Sequence, residues 1–98
     1  MSKTLIDYYL AIEDSSRKML SAAESKNWDQ VVQFEGACAV LIEQLRLQAR
    51  SEELLPEHRA AKVKIMQRIL MNDAQIRYLA EPWLEEFERS QDEAQVWH

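Results

Sequence analysis

The sequence predicts an all-α fold, an antiparallel bundle of three to four helices, and three observations predict it. Of its 98 residues 47% are hydrophobic, more than one helix could bury alone. It holds one Gly and two Pro, too few to punctuate hairpins and tight loops. Its apolar positions recur at spacings of three and four, not two. The expected arrangement is a long helical hairpin, a shorter helix and a kinked C-terminal helix. All of it belongs to a single helical domain, residues 1–98, in which residues 73–98 form a mobile C-terminal helix with a frayed tail.

Thr4, with Asp7 three residues later, caps a first helix running to about Ser25. Leu5, Tyr9, Ile12, Ser16, Met19 and Ala23 form its seam. Ile6, Tyr8 and Leu10 widen the first two turns, by core packing or as an exposed patch. The short break Ser25-Lys26-Asn27 implies an antiparallel hairpin. Asn27 then caps a second helix, about 28 to 50, with Gln30 in the reciprocal position and Asp29 at the positive end of the helix dipole. Val31, Phe34, Cys38, Leu41, Ile42, Leu45 and Ala49 share one face, and Trp28, Val32 and Ala39 form its flank. Phe34, Leu41, Leu45, Met19 and Ile12 are the expected core between these helices. Gly36, mid-helix, is expected to admit a neighbouring helix closely.

A polar connection from about Arg50 to Glu57 follows, with Pro56 suited to the first turn of a third helix. Val63, Met66, Ile69 and Leu70 form that helix's apolar side, and Lys64 and Arg68 lie opposite. Asn72 and Gln75 repeat the Asn-x-x-Gln capping pattern, so a fourth helix starts here or the third runs on; the pattern favours a new start. Its apolar positions are Ile76, Leu79, Ala80, Trp83 and Phe87, backed by an acidic row of Glu81, Glu85, Glu88 and Asp92. Pro82 should kink or break it, since proline removes a donor and presses on the carbonyl of Tyr78.

The net charge of −5 resides in the last quarter, where residues 73–98 hold seven acids against two bases. Nucleic-acid binding needs the opposite sign, and so does attraction to anionic lipid. A protein partner is expected instead. No apolar run approaches the ~20 residues of a membrane span, and the first residues do not read as a signal peptide. The single cysteine fits a reducing compartment, so a cytoplasmic protein is expected.

Catalysis finds no footing in this chain. His58 and His98 lie in no metal-ligand or triad spacing, and Cys38 on an apolar stripe reads as a structural thiol. One glycine cannot build a phosphate loop. No enzyme, metal or cofactor is expected. Glu35 lies between the main stripe of the second helix and its flank, so it is expected to be paired, fixing register, or to meet a partner directly. The acidic row is either a solvated face or a dock for basic residues.

Two segments at their separation in the chain resemble the FliT-type flagellar export chaperones. They are the Trp28-Asp29 box opening the second helix and Ile69-Leu70-x-x-Asp73-Ala74-x-Ile76-Arg77 leading into Glu81-Pro82-x-Leu84. The resemblance implies a helical cytoplasmic chaperone that binds the filament-cap protein, prevents its premature polymerisation and delivers it to the type III export apparatus. It also implies contacts with the export ATPase complex and export gate and, in some bacteria, antagonism of the flagellar master transcription regulator. An anti-activator and a structural homo-oligomer are the competing functions. A chaperone needs an apolar groove for an amphipathic helix, and Val32, Ala39, Met66 and Ile69 are its expected contacts. It also needs cover when empty, for which Ile76, Leu79, Trp83 and Phe87 offer an autoinhibitory face.

Overall fold

Three α-helices and a short 3-10 turn make up the structure, a computed structural model that describes residues 3–96, with the side chains of residues 83–84 and 86–96 outside the description. They are α1 (Leu5–Glu24), α2 (Trp28–Ala49), the turn Pro56–His58 and α3 (Arg59–Val96). Local chemistry sets the boundaries. The Thr4 N–H and hydroxyl both donate to Asp7 Oδ2, at 3.0 and 2.9 Å, and the backbone bond is the main reason the Asp7 carboxyl lies below its ordinary range. At the far end Lys26 takes the left-handed conformation, φ 60°. Its N–H then reaches the Ala23 carbonyl at 3.0 Å, and the Asn27 N–H reaches Ala22 at 2.9 Å. This 5→2 and 6→1 pair closes α1 as a Schellman motif. Asn27 Oδ1 accepts the Gln30 N–H at 3.3 Å, so one residue ends α1 and opens α2.

α1 is the central helix. It packs along both α2 and α3, which make almost no contact with each other. α2 descends antiparallel to α1, its Gln48 amide donating to the Lys3 carbonyl. α3 climbs parallel to α1, as successive pairings show: Lys62 over the Tyr9 ring at 5.6 Å, Arg68 on Glu13, and Asn72 on Ser16. The order is up, down, up. Leu5, Ile12, Ser16 and Ala23 of the expected α1 seam are buried, with Tyr9 and Met19 half-buried. Around the hairpin tip Ala22, Ala23, Val31 and Ile76 form a core cluster, against which Met19, Trp28, Phe34 and Leu79 pack.

Several expectations are corrected. No fourth helix begins at Asn72, because α3 continues unbroken to Val96. The Asn72 amide donates to Ser16 Oγ at 3.0 Å and so ties α3 to α1 in place of capping. The adjacent Asp73 pairs with Arg77 one turn on, at 3.0 Å, which favours helix across the expected joint. Nor does Pro82 break the helix. Pro82 and Tyr78 are both exposed, so the carbonyl freed by the proline faces water. Of the expected hairpin core only Ile12 is buried; Met19, Phe34, Leu41 and Leu45 are half-buried, since α2 rests on a single neighbour. Val63 and Leu70 are exposed, whereas Ile65, at 2%, is the most buried side chain described in α3.

Gly36 is also corrected. A Cβ built there would meet nothing within 4 Å among the described residues, so none of them requires the glycine. Gly36→Ala is therefore expected to stabilise the fold by up to about 1 kcal/mol, the propensity difference in a helix interior. A shift of the urea midpoint to higher concentration would show it; a lower midpoint would mean that the extra methyl meets something.

Candidate functional site

Because α2 and α3 both lean on α1 and scarcely meet, a groove of about 700 Å³ lies between them. Ile12, Ser16 and Met19 of α1 form its floor. Its α2 wall carries Trp28, Val32, Glu35, Cys38, Ala39 and Ile42, with Val31 at the base. Its α3 wall carries Ile69, Leu70, Asp73, Ile76, Arg77 and Ala80. The lining is mostly apolar with a few charged groups near the rim, the pattern of a surface made for a largely nonpolar ligand.

Three of the four expected contacts converge here. Val32, 65% exposed, and Ala39 face Ile69 across the groove. Met66 is half-buried and does not line it. Of the expected covering face, Ile76 is buried in the core cluster and Leu79 packs against that cluster, so this part of α3 is a wall of the groove. The Trp83 and Phe87 side chains lie outside the described residues, as do those of Glu88 and Asp92; Glu81 and Glu85 are exposed. Trp97 and His98 are likewise outside the description.

The floor is held by a polar clasp on the far side of α3. Arg68 Nε donates to both carboxylate oxygens of Glu13, at 3.1 and 2.8 Å. Ser16, buried at 5%, donates to the Glu13 carbonyl at 2.8 Å and accepts from Asn72. The hydrogen bond from Arg68 is the chief cause that holds the Glu13 carboxyl below its ordinary 4.5. A depressed carboxyl contributes stability that is complete above its unfolded pKa and is lost as pH falls through the folded one. Arg68→Ala is thus expected to flatten the decline in stability below pH 4.5, measured by urea melts across the acid range. An unchanged acid slope would mean that the pair contributes nothing.

Burial pushes the Cys38 thiol up, partly offset by its hydrogen bond with Ser15, and nearby Glu35 adds a smaller push in the same upward direction. Among the described residues no group of three or more His, Cys, Asp or Glu could hold a metal ion. Glu35 is exposed, and the expected pairing is not present: no described residue makes a hydrogen bond or ion pair with it. No described helix is long and apolar enough to cross a membrane. Sequence spacing pointed to Val32, Ala39 and Ile69 but missed Leu70 and Arg77, whose roles depend on the splay between α2 and α3.

Among protein families, the one described as Flagellar protein FliT matches residues 6–95. No curated protein and no solved structure matches the chain.

Proposed function

Since the chain belongs to the FliT family of flagellar proteins, a family of flagellar export chaperones, we propose that its groove holds an amphipathic helix of the filament-cap protein. Bound in this way the cap protein is kept from polymerising in the cytoplasm and is handed, through the export ATPase complex and export gate, to the type III apparatus. The groove itself carries the proposal. Helices α2 and α3 both pack on α1 and scarcely touch, so a helix laid in the groove between them would complete a four-helix bundle. Such a partner docks through i, i+3, i+4 and i+7 anchors on Val32, Ala39 and Ile69.

The exposed surface supports the same conclusion. The chain exposes 7681 Å², against roughly 5,800 Å² for a compact monomer of its mass. The difference, roughly 1,900 Å², exceeds the ~800 Å² that each partner buries in a standard interface, so the chain has surface to spare for a docked helix. If a segment of the chain shields the empty groove, its hinge lies at Pro82 and not at Asn72, because Ile76 and Leu79 are anchored to α1 and α2.

Cys38, the only cysteine, lines the groove and gives a direct test. Alkylation by a maleimide at pH 8.5 is expected to label the free protein and to slow at least tenfold in a saturated complex with the C-terminal segment of the cap protein. Equal labelling in both would place that partner elsewhere.

A further inference from the structure

We infer that the groove selects a basic amphipathic helix, one that sets a Lys or Arg beside its apolar strip to meet Glu35. The inference rests on the groove being the docking site, and three observations fix the sign of the partner. Glu35 is the one charged residue that α2 brings to the groove, and from Trp28 to Ile42 this helix holds no Lys or Arg. On the α3 wall the groove's guanidinium, Arg77, is already paired with Asp73 on its own helix at 3.0 Å. Glu35 therefore stands as the groove's uncompensated charge among the described residues, in a chain whose net charge is −5.

The geometry fixes the size and placement of the occupant. From Trp28 to Ile42 the wall is about 21 Å long at 1.5 Å per residue, so it faces roughly four turns of a partner helix. Glu35 lies midway along it, one turn from both Val32 and Ala39. A lysine or arginine flanking the partner's apolar strip lays its methylene stem over Val32 or Ala39 and puts its charge at Glu35. An acidic residue at that place would meet Glu35 and be rejected. Two effects follow. Attraction steers the encounter and sets its salt dependence, while the apolar contacts hold the complex.

The test is calorimetric titration of the C-terminal segment of the cap protein into wild type, Glu35→Gln, Glu43→Gln and Ala39→Gln, at 50 and 300 mM NaCl. Glu43 is exposed on α2 and does not line the groove. Glu35→Gln is expected to weaken binding about 3- to 10-fold at low salt, with a shallower salt dependence, and Glu43→Gln to match wild type. Wild-type affinity and salt slope in Glu35→Gln, with loss of binding in Ala39→Gln, would overturn the charge selection and leave the groove as the site. Equal weakening by both Glu variants would reduce the effect to net charge and overturn it as well. Unaltered binding in Ala39→Gln, with helicity retained, would remove the groove and the selection together.

Discussion

Replacing Ile76 by alanine is expected to remove about 2 to 5 kcal/mol of stability, the usual range for truncating a buried isoleucine. The side chain is 7% exposed and joins α3 to Ala22, Ala23 and Val31 at the hairpin tip. Few large apolar side chains are buried among the described residues, and Ile76 is one of three isoleucines in that set with Ile12 and Ile65. A domain of this size holds little reserve, so much of the folded population would be lost. Urea melts followed by circular dichroism measure the change. A midpoint within experimental error of wild type would detach Ile76 from the core and return residues 73–98 to the role of a separable helix. Leu41→Ala is expected to cost less, because Leu41 is only half-buried.

Ile69→Asp is expected to weaken binding of the cap-protein segment by roughly 100-fold or more while most helicity persists. Ile69 is half-buried on the groove's α3 wall, open to solvent in the free protein and covered once a helix lies between α2 and α3. A carboxylate there is solvated until the partner arrives and then loses its water without gaining a counter-charge, a cost of several kcal/mol. Ile69 also belongs to the half-buried seam of α3, so the free fold loses some stability as well, and circular dichroism of the unbound variant separates that loss from the loss of binding. Fluorescence or calorimetric titration of the folded variant decides it. Wild-type affinity would place the partner outside the groove.

The helix ends and the hairpin were legible because local chemistry sets them. Thr4 with Asp7 acts where it stands, and so does Asn27 as a cap, although its N–H goes to the Ala22 carbonyl and the expected reciprocal bond from the Gln30 side chain is not made. The seam of α1 was legible too, since it follows regular spacing even through Ser16. The seam of α3 was harder to see. It runs through Ala61, Ile65, Ile69, Asn72, Ile76 and Leu79, and the polar Asn72 in its middle read as a cap and hid the continuity. Only contact with Ser16, fifty-six residues away, explains that asparagine. The face of α2 was identified but its burial was overstated, because spacing tells which residues share a side and not how many helices press on it. Val32, Ala39 and Ile69 were recoverable as a flank. Met66 was not excluded by spacing, since its place along α3, below the groove, depends on the register that Glu13 and Arg68 set.

The central position of α1 also orders how the molecule opens. α2 contributes Val31 alone to the buried set and has no second helix behind it, whereas α1 is held on two sides. In hydrogen exchange the amides of α1 should be released only with global unfolding, and those of the α2 half beyond Cys38 through a smaller, more frequent opening. A helix lodged between α2 and α3 would give α2 its missing second neighbour. Cargo would then act as a brake on exchange in a helix that the empty chaperone holds loosely, and the protection gained along α2 would trace how far the bound segment extends.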